Sequence, residues 1–183
     1  MPDPQTYGLS PDWVPGPDGI PYRRAARVIV ADEEDRVLLV RGHDSGEVTR
    51  SWWFTVGGGV DAGEDGRAGA VRELAEETGL VVGPEELLGP VLTRSALFDF
   101  ARVTCRQDED FFFVRVTATE VSHAGWTELE REVLDEVRWW HVAELEEAVG
   151  AGVVVYPAGL PAIVARLLRG WDGTAEHLDE SSV

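Results

Sequence analysis

Runs rich in leucine and β-branched residues at positions 24–30 and 36–40 flank the acidic stretch Asp32-Glu33-Glu34-Asp35. Two apolar runs separated by a polar turn predict a β-hairpin. Another strand is expected over residues 52–56, running into Gly57-Gly58-Gly59. The spacing then becomes helical over residues 65–78, with Gly79 placed to close the helix. Further strands are expected at 87–92, 97–103, 111–117 and 136–140, and helices at 142–149 and 160–168, the latter with Pro161 in its first turn. Strands interleaved with helices in this irregular order predict an α/β fold, an α/β/α sandwich built on a mixed β-sheet. Residues 1–20 carry five prolines, which disfavour helix and ladder alike, and read as an extended N-terminal arm. The domain itself is expected over 21–171, followed by an acidic, serine-ended tail at 172–183 that should fray.

One polar pattern stands out against this background. On the helix expected at 65–78, Glu73, Glu76 and Glu77 fall at i, i+3 and i+4 and share one face. At roughly 100° per residue, Val71, Leu74, Ala75 and Thr78 should lie on the opposite side. Like charges so spaced destabilise a helix by a few tenths of a kcal/mol per pair, and only Arg72 stands near enough to relieve them. A bound cation resolves the conflict, and hard oxygen ligands in this number suit Mg²⁺ or Mn²⁺. A solvated acidic helix face would show the same spacing, so the pattern takes its meaning from its surroundings.

Those surroundings are GGVDAGEDGRAGAVRELAEETGL, residues 58–80. The segment resembles the signature of the Nudix hydrolase family (MutT-like), Gly-x5-Glu-x7-Arg-Glu-U-x-Glu-Glu-x-Gly-U with U aliphatic. It matches at every specified position: Gly58, Glu64, Arg72, Glu73, Leu74, Glu76, Glu77, Gly79 and Leu80. Composition alone would produce this with a probability on the order of a few in a million. The resemblance implies a Nudix-type sandwich in which Glu73, Glu76 and Glu77 bind metal, joined by the backbone carbonyl of Gly57 and, as an outer or water-mediated ligand, Glu64. It assigns Glu73 and Glu76 to catalysis, with Arg72 bracing a catalytic glutamate. Val56 departs from the proline that many relatives carry before the paired glycines, without removing a ligand.

The activity implied is Mg²⁺-dependent hydrolysis of a phosphoanhydride bond in a nucleoside diphosphate-linked substrate: a nucleoside triphosphate, a nucleotide sugar or a dinucleotide. The alternative is a Nudix-fold module that senses a ligand or recruits a partner without chemistry; such domains usually show a damaged box. The proton acceptor belongs either to the box or to a later loop offering Glu128, Glu130 and Glu132. Ser95-Ala96-Leu97-Phe98 stands where the family's ADP-ribose group carries a proline, which lowers that reading. Candidate substrate contacts are Trp52 and Trp53, one ring for a base and the other for the core, together with Arg27, Arg41 and Arg94. His43, His123, His141 and His177 show no ligand spacing.

Charge narrows the partners. Acidic residues outnumber basic ones 34 to 16, a net charge of -18, so polymeric nucleic acid would be repelled. Every basic residue is arginine, which excludes mechanisms that need a P-loop, kinase or Schiff-base lysine. No apolar run approaches the roughly 18 residues of a membrane span, and no signal-peptide pattern opens the chain, so a cytoplasmic location is expected. The lone Cys105 reads as a small strand residue. Leu9, Trp13 and Val14 leave open whether the arm docks on its own domain, docks on a second copy in a homodimer, or stays mobile.

Overall fold

The runs AARVIVA and RVLLV are apolar at consecutive positions, so strands built from them must be covered on both faces. A computed structural model describes residues 9–44, 47–100, 103–117, 120–126 and 128–181, apart from the side chains of Leu129 and Glu130. In it the two runs lie in β2 (Pro21–Ala31) and β3 (Arg36–Asp44). The other strands are β1 (Val14–Pro15), β4 (Glu47–Gly59), β5 (Leu88–Phe100), β6 (Val103–Arg115), β7 (Leu134–His141), β8 (Val155–Tyr156) and β9 (Glu176–Ser181). Among the described residues they form one mixed sheet in the order β7-β3-β4-β2-β6-β5-β9, with β1 added to β2 and β8 to β4. The pairs β2–β6, β4–β8 and β5–β9 are parallel.

Helix α1 (Gly66–Thr78) covers one face, and a short α2 (Glu128–Val133) precedes β7. Helices α3 (Val142–Gly150) and α4 (Leu160–Arg169) cover the other face. Side chains alternate between the two layers. Val28, Val30, Leu38 and Val40 pack with Ala70 and Leu74 of α1, whereas Ile29, Val37 and Leu39 pack with Leu145, Leu160 and Val164. Each such aliphatic side chain, fully buried, contributes about 1.5–3 kcal/mol. This is the α/β/α sandwich expected from the sequence.

Several local expectations change. The hairpin of β2 and β3 pairs directly only at Val30↔Leu38 and Ala31↔Val37, because β4 wedges between them, its glycine end on β2 and residues 51–55 on β3. The two strands expected at 87–92 and 97–103 are a single strand, β5, of 13 residues. The strand runs on through Arg94, which stands opposite Glu109 of β6 in the register, so that its charge is met across the ladder. The tail does not fray over residues 176–181: β9 lies parallel on β5, with Leu178 packed against the core and the Glu180 carboxylate accepting from Arg94. Residues 1–8 of the arm lie outside the described residues; residues 9–13 dock on the same domain. Leu9 and Trp13 are buried against Cys105, and Val14 is exposed.

The turn between β2 and β3 rests on Asp32. Its buried carboxylate accepts the backbone N–H groups of Glu34 (3.0 Å) and Arg36 (2.8 Å) and the Arg36 guanidinium (2.7 Å). Burial raises its pKa, but these donors outweigh burial and hold it below the ordinary carboxylate value. A depressed carboxyl stabilises the fold above its unfolded pKa of about 3.9 and loses that contribution as pH falls through the lower folded value. Asp32→Ala should therefore cost about 2 kcal/mol in urea unfolding at pH 7. The gap from wild type should close below about pH 4; a gap independent of pH would show that the charge is not what matters.

Candidate active site

Helix α1 starts where Asp65 accepts the N–H groups of Arg67 and Ala68, and it ends at Gly79 in the left-handed conformation, φ 73°. Its buried stripe is Ala70, Glu73, Leu74, Glu77 and Thr78, so two carboxylates turn inward with the apolar residues. This corrects the expected opposition: three residues on from Leu74, Glu77 lies only roughly 60° away around the axis. Glu73 and Glu77 are 8% and 4% exposed, whereas the Glu76 side chain is 50% exposed.

The inward carboxylates meet the glycine end of β4. Glu77 Oε2 accepts the N–H of Gly57 at 2.8 Å. Gly57 has φ 133°, and a Cβ there would stand 2.2 Å from the carbonyl oxygen of Ala26, so no other residue fits. At Gly58 a Cβ would meet the Glu73 carboxylate at 2.7 Å, so the missing side chain is what lets the loop lie on Glu73.

Arg72 gathers the rest. Its guanidinium donates to Glu64 Oε1 (3.1 Å) and Oε2 (3.0 Å), Glu73 Oε1 (2.7 Å), Glu76 Oε2 (3.1 Å) and the Gly59 carbonyl (2.9 Å). The hydrogen bonds to Glu64 are the main reason its pKa is raised, and in return Glu64 is held below the ordinary carboxylate value. The donor set of Glu64, Glu73, Glu76, Glu77 and loop carbonyls is all oxygen and strongly anionic, which fits a hard divalent cation. Here Glu64, Glu73 and Glu76 close on Arg72 and Glu77 on the Gly57 N–H; among the described residues no group of three acidic, His or Cys side chains is placed to hold a metal ion.

The box borders a cavity of about 530 Å³, within the range that encloses a nucleotide-sized ligand. Trp52, Phe54, Phe98, Phe100 and Tyr156 supply aromatic lining, and residues 9–13 of the arm form part of the wall. Trp52 is half-buried and packs edge-on to Tyr156 at 6.4 Å between ring centroids. Trp53, the other candidate, is buried against Trp140 in the α3–α4 layer. Arg41 follows the same alternation, lying over the Trp53 ring and pairing at 3.6 Å with Asp135 and 3.8 Å with Glu136. Neither Trp53 nor Arg41 lines the cavity; of the two tryptophans, Trp53 is the ring that packs in the core.

Arg27 does line it, but its guanidinium is engaged with Glu109 and with the carbonyls of Thr55 and Gly57. Glu128 and Glu132 are exposed on α2 and outside the lining, and the Glu130 side chain lies outside the described residues. His43 lies 3.0 Å from Asp135, and burial pushes the Cys105 thiol up to about 11, an inert group.

Sequence reading missed Glu109, Gln107, Arg23 and Asp12. Glu109 lies in the run Gln107-Asp108-Glu109-Asp110, which looks like a solvated loop. In β6 the run alternates, so Gln107 and Glu109 turn inward with Phe111. Burial pushes Glu109 up, but Arg27 and Arg94 more than offset it and keep it ionised well below the usual range. Asp12 pairs with Arg23 at 3.1 Å, and the Arg23 guanidinium sits 4.5 Å from the Trp13 ring centroid, which pins the arm.

Residues 21–157 match the NUDIX domain, and the chain belongs to the Nudix family. Among similar proteins, an RNA pyrophosphohydrolase from Sphingopyxis alaskensis is 37% identical over 71 residues, 39% of this chain and 43% of that protein. A putative 8-oxo-dGTP diphosphatase from Bacillus subtilis is 43% identical over 58 residues, 32% of this chain and 36% of that protein. The match thus spans less than half the length of either relative. A solved MutT protein from Bacillus halodurans superposes with a TM-score of 0.57 at 24% identity, covering 87% of this chain and 90% of that one. The dihydroneopterin triphosphate pyrophosphohydrolase of E. coli gives 0.52 at 18% identity, over 81% and 97%. At these identities the likeness is one of fold.

Proposed function

We propose that this chain hydrolyses a phosphoanhydride bond in a small nucleoside diphosphate-linked substrate, using Mg²⁺ held by Glu64, Glu73, Glu76, Glu77 and the Gly57 carbonyl. The observation that carries the reading is the box itself, with Glu73 and Glu77 lying against the glycine end of β4 and Glu76 joined to Glu73 through Arg72 at the edge of a cavity of about 530 Å³. When bound, the cation neutralises charge on the diphosphate oxygens and lowers the pKa of the attacking water. Arg72 holds Glu73 and Glu76 in place by charge-assisted hydrogen bonds. Glu73 and Glu77 are buried against the loop, which leaves half-exposed Glu76 as the box group with room to accept the water's proton. Trp52 offers an aromatic surface to the base.

Relatives include proteins named for RNA, but the net charge of -18 opposes a long polyanion. The test is a panel of nucleoside triphosphates, nucleotide sugars, ADP-ribose, dinucleoside polyphosphates and a 5′-triphosphorylated RNA, assayed with Mg²⁺ and with Mn²⁺. A small nucleotide should be the best substrate; preference for the RNA would overturn that part of the reading. In ¹⁸O-labelled water the label should appear only in a phosphate product, because the box sets water beside phosphorus. Label in a sugar or nucleoside hydroxyl would mean a C–O bond is cleaved, and the mechanism would fail.

A further inference from the structure

Arg27 was expected to touch substrate, but its surroundings give it other work. The two peptide groups that flank the Gly57 Cα are each held by a side chain: the N–H of Gly57 donates to Glu77 of α1 at 2.8 Å, and its carbonyl accepts from Arg27 of β2 at 2.6 Å. The same guanidinium donates to Glu109 Oε1 at 2.9 Å and to the Thr55 carbonyl at 3.2 Å. Glu109, 3% exposed, is fixed in turn by Arg94 (2.5 Å) and by the Gln107 carboxamide (2.6 Å), and Arg94 is fixed by Glu180 of β9 (2.5 Å). An unbroken series of charge-assisted hydrogen bonds therefore runs from β9 through β5, β6 and β2 to one carbonyl of the metal loop.

We propose that Arg27 is a positioning residue that aims the Gly57 carbonyl at the bound cation, with Glu109, Arg94 and Glu180 setting its orientation. The physical need lies in the loop itself. Glycines 57–59 pair with Arg27, Ala26 and Ala25 of β2, and with no Cβ to restrict the backbone they depend on their partners to fix where each carbonyl points; a carbonyl turned away is lost as a ligand. Arginine suits the task because its planar fork reaches a carboxylate and two carbonyls at once, which a lysine ammonium does not do in fixed geometry. Partners that orient a metal ligand typically contribute 10- to 100-fold to metal affinity.

The inference rests on the proposed use of Gly57 as a cation ligand, so its test measures the cation directly. Mn²⁺ binding to the substrate-free protein is followed by electron paramagnetic resonance for wild type, Arg27→Lys and Glu180→Gln, with near-UV circular dichroism reporting the fold. Arg27→Lys should raise the Mn²⁺ Kd by about tenfold or more. Glu180→Gln, nearer the surface, should raise it by a smaller factor, and substrate KM at saturating Mn²⁺ should move less than the cation constant in both. An unchanged Mn²⁺ Kd in folded Arg27→Lys, with KM raised or not, overturns the inference while leaving the functional reading intact. If Arg27→Lys does not fold, Glu180→Gln decides: a weakened Kd supports the series and an unchanged one overturns it. A wild-type protein that binds no Mn²⁺ overturns the functional reading, and this inference with it.

Discussion

Glu76→Gln should lower kcat on the order of 10³-fold while leaving the protein folded. The substitution keeps volume and removes one anionic oxygen from the cluster. Because Glu76 is half exposed and its recorded partner is Arg72 at 3.1 Å, the change should cost less than about 1 kcal/mol of stability. Glu77→Gln should give a comparable loss of turnover for a different structural reason. Its amide oxygen can still accept the N–H of Gly57, so the loop stays docked on α1 and only the charge is lost. Steady-state kinetics across a Mg²⁺ titration, paired with thermal melting, separate these effects. Unchanged kcat at saturating Mg²⁺ in either variant would remove that residue from the proposed site.

Arg72→Gln should give the largest change in stability. The guanidinium is the internal counter-charge for Glu64, Glu73 and Glu76, and without it the carboxylates face one another beside the buried end of the loop. Loss of these bonds should cost about 2–4 kcal/mol in the absence of metal, a fall in Tm of about 5–10 °C. Mg²⁺ binds the folded arrangement and supplies the missing positive charge, so it should raise the Tm of the variant by more than it raises that of wild type. Melting curves with Mg²⁺ and with a chelator test this. Equal Mg²⁺-induced gains in the two proteins would show that Arg72 does not neutralise the cluster.

The parts of the protein that were legible in its sequence are those whose information is local. Helix α1 could be placed from its cap, its period and its closing glycine, and the box from a fixed spacing along that helix. The buried central strands followed from unbroken apolar runs. What escaped depends on partners far along the chain. Arg94 looks like a candidate substrate contact until Glu109 is found opposite it in β5–β6, and residues 176–181 look like a solvated tail until Leu178 and Glu180 find the core and Arg94. Trp52 and Trp53 are adjacent and chemically alike. Only the pairing of β4 with its neighbours decides that Trp53 enters the α3–α4 layer and Trp52 borders the cavity. Polarity does not reveal the direction of Glu73 and Glu77, which are both buried against the glycine end of β4.

Within the cavity lining, the box carboxylates and their glycines come from one contiguous stretch, residues 57–77, whereas the other lining residues come from the arm, strands β2 to β7 and the segment at Tyr156. Substitutions at Phe98, Phe100 or Tyr156 alter the surface offered to the non-reacting end of a ligand without touching an oxygen of the carboxylate cluster. A lineage can reshape that surface while inheriting the carboxylate cluster whole, which is how one fold comes to serve many ligands.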